Sequence, residues 1–124
     1  MAGNIDVLIE DIQRLSMGCR VDAPRDLSYV IVRDVKLGAG WNREATDVLI
    51  EIPKDYPLTG PGQPPYGVYL EEGLLRHGGW PEHYHVNGNR PGWAWWCYEG
   101  IRWDPHRDDL ITMLEAIRAD LDSA

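Results

Sequence analysis

Five prolines fall between residues 53 and 65, at Pro53, Pro57, Pro61, Pro64 and Pro65. Proline lacks an amide proton, fixes its own φ and restrains the residue before it, so neither a helix nor a central strand can run through this stretch. The chain must be extended or turning here, and any fold has to be assembled from the elements on either side. Upstream, Asn4 followed by Ile5, Leu8, Ile9, Ile12 and Leu15 sets apolar residues at helical spacing behind an N-cap, which predicts an amphipathic helix over 4–16 ended by Gly18. Leu27–Val35 and Thr46–Ile52 are rich in strand-forming residues and predict two antiparallel strands joined by a hairpin through Gly38, Ala39, Gly40 and Trp41. In the second strand Val48 and Ile50 are expected on one side and Leu49 and Ile52 on the other, so that it is covered on both faces.

Beyond the prolines, Gly67–Leu70 predicts a third strand. From Glu71 to Trp96 no periodicity is sustained, and Gly78, Gly79, Pro81, Gly88, Pro91 and Gly92 interrupt the chain, so a long irregular loop is expected there. Ordered loops of this length inside a domain are usually functional. Asp104-Pro105 then supplies an N-cap and a first-turn proline, and Leu110, Met113, Leu114, Ile117 and Leu121 mark an apolar stripe, predicting a helix over 105–121. The sum is an α+β chain of 124 residues, read as a single domain over 1–124.

Charge and cysteine content narrow the function classes. Twelve basic against twenty acidic side chains give a net charge of -8, the wrong sign for a phosphate-binding surface, so no nucleic-acid partner is expected. No apolar run is long enough to span a membrane. Met1 to Asp11 carries charge among its apolar residues and does not read as a secretory signal, so a cytoplasmic location is expected. Cys19 and Cys97 lie far apart in different surroundings, which does not indicate a disulfide framework. Four of the six tryptophans fall between Trp80 and Trp96, just ahead of Cys97.

Tyr56-Pro57, Pro64-Pro65 with Val68 and Tyr69, His85-Val86-Asn87, Cys97 ten residues after Asn87, and Trp103-Asp104-Pro105 before an apolar helix occur in that order. This set resembles the ubiquitin-conjugating superfamily, with its Tyr-Pro and Pro-Pro signature, its His-Pro-Asn motif ahead of the active cysteine, and its Trp-Ser-Pro start of the following helix. Gly40-Trp41, Thr46 to Pro53, Tyr56-Pro57 and Trp103 to Leu110 resemble its bacterial branch more specifically. The resemblance implies a UBC-like fold: N-terminal helix, antiparallel β-meander, long irregular active-site loop, C-terminal helix. Val86 stands where the motif has proline, and Cys97 lies six residues before Trp103, somewhat fewer than in eukaryotic relatives. Asp6, Glu10 and Asp11 against a single Arg14 make the first helix acidic, where the family usually docks its activating enzyme on a basic one.

The resemblance implies that Cys97 carries a ubiquitin-like modifier as a thioester, received from an activating enzyme and passed to an acceptor amine whose identity is open. A thiolate is the attacking species. Both transfers pass through an oxyanion that the Asn87 amide can stabilise, although the family's asparagine can instead brace the loop. His85, His106, Asp104 and Asp108 are the nearby candidates for taking a proton from the amine. Trp93, Trp95 and Trp96 either wall the site against water or belong to the core. No cofactor is implied, since there is no phosphate-cradling glycine loop to carry adenylation.

Other readings of the same residues stand beside this one. Without its context Cys97 reads as a small buried hydrophobe, His85 as a structural hydrogen-bonding residue and Asn87-Gly88 as a turn. His77, His83, His85 and Cys97 are metal-ligating types, but their spacing matches no standard zinc pattern. Pro64-Pro65 reads as a fold corner before it reads as a proline-rich ligand. Cys19 has no motif around it. Two alternative functions remain: a noncatalytic binding module on the same fold, docking a modifier or partner, and a thiol hydrolase using a cysteine and histidine pair.

Overall fold

The computed structural model describes residues 5–61, 66–82, 84–86, 90–96 and 102–123. Asn4, Pro64, Pro65, His83, Asn87 and Cys97 therefore lie outside the described residues. The elements run in the order α1 (Ile5–Ser16), β1 (Val21–Asp22), β2 (Tyr29–Lys36), β3 (Ala45–Glu51), β4 (Val68–Glu71), β5 (Tyr84–His85), β6 (Trp93–Trp96) and α2 (Leu110–Ser123). They form an α+β fold in which six antiparallel strands lie in the order β1-β2-β3-β4-β6-β5.

Strand alternation sorts the side chains into two faces. One inward row is Val30, Ile50, Val68, Trp96 and Tyr84, paired strand to strand; the next is Val32, Val48, Leu70 and Ala94. These residues share one buried cluster with Leu8 and Leu15 of α1 and Leu110, Met113, Leu114, Ile117 and Leu121 of α2. Both helices thus cover the same face of the sheet and touch each other. The opposite face carries the row Ile31, Leu49, Tyr69, Trp95 and His85. Leu49 and Tyr69 are buried there outside the main cluster, so β3 is covered on both faces as expected. Ile52 instead joins the main core, because it shares strand parity with Val48 and Ile50 and not with Leu49.

The first helix and the β2, β3 and β4 strands match the sequence expectation to within one or two residues. Two parts differ. The segment 71–96 is not wholly irregular: it holds β5 and β6, and the Tyr84 hydroxyl stitches it down by donating to the Glu71 carbonyl and accepting the Leu74 N–H at 3.2 Å. The last helix begins at Leu110 and not at 105. Residues 104–108 are a closed turn in which the Asp104 carbonyl accepts Arg107 N–H at 3.0 Å and Asp108 N–H at 2.8 Å. The N-cap is Asp109, whose carboxylate accepts the Thr112 N–H at 2.9 Å. At the other end Arg76 donates to the free carbonyls of Leu121 (3.0 Å) and Asp122 (3.1 Å).

The β2–β3 connection needs glycine for two reasons. Gly40 has φ 92° and lies against the His77 imidazole, where a Cβ would stand 2.4 Å from Cε1. Among the described residues, no helix is long and apolar enough to cross a membrane.

Candidate functional site

Cys97 and Asn87 lie outside the described residues, so the site is built from what flanks them. On the upstream side β6 delivers the chain. Trp96, the residue before Cys97, is 1% exposed, tilts against Trp41 at 6.4 Å between ring centroids, and donates its indole N–H to the Asp120 carboxylate of α2 at 2.5 Å. Trp95 points to the opposite face, where His85 rests on it at 5.6 Å with an interplanar angle of 39°. The tryptophans ahead of the cysteine therefore divide: Trp96 is core, whereas Trp93 and Trp95 are half-buried on the outer face. His85 is exposed on β5, beside the strand that ends at Trp96.

Downstream, Trp103 stands outside any strand or helix and packs against the main core. Its indole N–H donates to the Pro57 carbonyl at 2.7 Å, and its ring tilts against Tyr56 at 5.9 Å. Tyr56 is buried at 2% exposure, precedes a cis bond to Pro57, and donates its hydroxyl to the Asp11 carboxylate of α1 at 2.6 Å. Burial pushes the Tyr56 phenol well above its ordinary range, and the hydrogen bond to Asp11 adds to this. Burial also raises the Asp11 carboxyl, against the Tyr56 hydrogen bond and the Arg14 charge, which both pull it down. Arg14 stands 3.3 Å from Asp11 and also pairs with Asp109, the cap of α2. Burial raises Asp109 too, yet the Thr112 N–H and hydroxyl together with Arg14 outweigh it and hold the carboxyl below its ordinary value. One network thus joins the acidic first helix, the proline turn and the segment after Cys97.

The candidate proton acceptors do not stand alike. The Asp104 carboxylate accepts the His106 N–H at 2.9 Å, and the Asp108 carboxylate accepts the Asp104 N–H at 2.7 Å, so both serve the turn. His106 is exposed in that turn. For the metal reading, His77 sits on Gly40 and His85 on Trp95; among the described residues no group of three or more His, Cys, Asp or Glu could hold an ion. Cys19 is half-buried against the core, with an Arg118 guanidinium N–H 3.8 Å from Sγ.

Sequence reasoning missed Arg90, which follows the 87–89 segment. Its guanidinium bonds Glu51 at 2.9 Å and lies over the rings of Tyr29 (5.0 Å) and Tyr69 (5.4 Å). A lone arginine after Asn89 gives no local signal of such a clamp, because its partners lie on β2, β3 and β4. Arg90 also edges a groove of about 420 Å³ lined by Ile5, Leu8, Leu27, Ile52 and Tyr66.

Residues 11–124 match the family described as Prokaryotic E2 family E. Neither the curated proteins nor the solved structures yield a match. The match takes in the second half of α1, all six strands, both flanks of Cys97 and α2. With helices at both ends of an antiparallel sheet and that span covered, the chain belongs to Prokaryotic E2 family E, a bacterial ubiquitin-conjugating-enzyme-like family with a UBC-like fold.

Proposed function

We propose that the chain works as one UBC-like domain in the cytoplasm and as a thioester carrier: it accepts a ubiquitin-like modifier from an activating enzyme on Cys97 and transfers it to an acceptor amine. The observation that carries this reading is the family match, whose span includes His85-Val86-Asn87, Cys97 and Trp103-Asp104-Pro105.

In the first step the Cys97 thiolate attacks the carbonyl carbon of the incoming thioester. A new C–S bond forms, and the activating enzyme's cysteine leaves as its thiolate. In the second step the acceptor nitrogen attacks the same carbon, loses a proton to a base, and the Cys97 thiolate leaves. The Asn87 amide is assigned to the oxyanion of both steps, a donor whose removal typically costs on the order of a hundredfold or more in rate. His85 is assigned a supporting role. Its exposure beside Trp95, one residue from the end of β6, is compatible with reaching an incoming amine.

The test combines the protein with its activating enzyme, the modifier and ATP, and looks on a nonreducing gel for an adduct that dithiothreitol removes. The expected adduct forms with the native chain and with Cys19→Ala, and is lost in Cys97→Ala. Absence of any adduct with a demonstrably active upstream enzyme replaces this reading with the noncatalytic docking module. Release of a preformed adduct without an activating enzyme, dependent on Cys97, replaces it with the hydrolase.

A further inference from the structure

The two ends of the sheet are finished differently. Among the described residues β1 stands at one end of the strand order and β5 at the other. An end strand leaves backbone N–H and C=O groups without a strand on one side, and a further chain can add to them. At β1 the protection is ionic. Asp22 on that strand pairs with Arg33 at 2.7 Å, Arg20 just before it pairs with Asp34 at 3.1 Å, and Pro24, which has no N–H to offer, follows. Tyr84 and His85 of β5 and the Val86 after them, 50% exposed, carry no carboxylate, lysine or arginine.

What stands at β5 instead is Trp80. It is 60% exposed, whereas the other five tryptophans are buried or half-buried. Its indole N–H donates to the Tyr84 carbonyl at 2.5 Å, and its ring tilts against the Tyr84 ring at 5.0 Å. The Tyr84 side chain under it is fully buried and ties down the Glu71 carbonyl and the Leu74 N–H. A residue that belongs to no strand thus takes up a backbone acceptor of the end strand and leaves much of its own ring in water.

We propose that Trp80 is the cover of the β5 edge: by occupying the Tyr84 carbonyl and closing over the Tyr84 ring, it keeps a second copy of this chain from adding as a further strand. An exposed indole has an alternative use of opposite sign, as an anchor that a partner seizes. The hydrogen bond to Tyr84 favours the cover, because an anchor needs no tie to the strand beside it. The inference stands on the sheet alone and does not depend on the role of Cys97.

The experiment is sedimentation equilibrium of the native chain and of Trp80→Ala from about 10 µM to about 1 mM, the range in which bare strand edges associate. Expected is a native chain that stays monomeric, and a Trp80→Ala chain whose average mass rises about twofold or more with concentration. Adding Val86→Lys to Trp80→Ala sets a charge beside the bared strand and should restore the monomer. Adding Met17→Lys, at a position 87% exposed just past α1, should not. Either lysine reduces the magnitude of the net charge of -8, so general repulsion does not explain a difference between them. If Trp80→Ala does not fold by circular dichroism, Trp80→Phe, which keeps a ring against Tyr84 and removes the donor, decides in the same way. The proposal is overturned if the tryptophan variant associates no more than the native chain, or if the two lysines act alike. Association of the native chain that Trp80→Ala abolishes also overturns it and makes Trp80 an anchor.

Discussion

Trp96 and Trp103 do the same thing by different means. Each tilts against a neighbouring ring and satisfies its indole N–H with a half-buried acceptor, and Cys97 falls between them in sequence. Trp96 stands in a row of paired strand residues running from Val30 to Tyr84 and is 1% exposed. Trp103 is half-buried and rests on a turn. The upstream flank of the cysteine is over-determined by sheet register and core packing. The downstream flank rests on partial packing against the core and a few specific contacts with Tyr56, Pro57 and Gly60. Changes upstream are therefore expected to cost more stability than changes downstream.

The largest effect should come from Trp96→Ala, which removes a fully enclosed indole and leaves the Asp120 carboxylate without that donor. Truncating a buried aromatic costs about 3–5 kcal/mol, part transfer and part cavity. Urea unfolding followed by tryptophan fluorescence and circular dichroism measures it. A loss below about 1.5 kcal/mol breaks the comparison, since it means that this flank is no better anchored than a surface residue.

Next is Tyr56→Phe, the seat of Trp103. The ring contact survives, but Asp11, 7% exposed, loses the hydroxyl that donates to it. Leaving a buried acceptor unsatisfied costs about 1–3 kcal/mol. Asp11 also predicts a pH dependence of definite sign. Its folded pKa is raised, so the folded state binds its proton more readily than the unfolded chain does. Its contribution is favourable at pH below the ordinary carboxylate range and is lost as pH rises through the raised folded value. Asp11→Asn should therefore gain stability relative to the native chain as pH climbs through that window, measured by melting temperature. A pH-independent gap shows that Arg14 and Tyr56 compensate the burial completely.

These contacts also show where sequence reading stops. The first helix is legible because its stripe at Ile5, Leu8, Ile12 and Leu15 is periodic, and the β2 and β3 strands because their β-branched runs are bounded by glycine and proline. β1 and β5 are two residues each, too short for periodicity to register, and β6 is a Trp-Ala-Trp-Trp run embedded among glycines and prolines. The start of α2 is misread because Asp104-Pro105 has the form of an N-cap with a first-turn proline, while Asp109, the cap in use, has no such proline after it. The structure settles it through the turn at 104–108 and the Asp109–Thr112 bond. For the site, the ordered motifs pointed to the family that the match over residues 11–124 shows. What they did not disclose are pairings such as Asp11 with Tyr56, or Trp103 with Pro57 and Gly60. Those partners stand more than forty residues apart, and no local pattern marks them.

The smallest of the three effects tests whether the downstream flank ends at Trp103 or continues into the helix behind it. Asp109→Ala removes the N-cap of α2 and one partner of Arg14, a loss of about 1 kcal/mol by the cap alone. Its sign with pH is opposite to that of Asp11. Because the folded pKa of Asp109 is lowered, its stabilisation is present above the ordinary carboxylate range and is lost as pH falls through the lowered folded value. The gap between native chain and variant should therefore be widest near neutral pH and close in acid, as thermal unfolding at stepped pH will show. Because Arg14 contacts both carboxylates, Asp109→Ala should also leave Asp11 with more of that guanidinium and weaken the pH trend traced by Asp11→Asn. Full additivity of the two substitutions would separate the helix cap from the Tyr56 network and confine the downstream anchor to Trp103 and its seat.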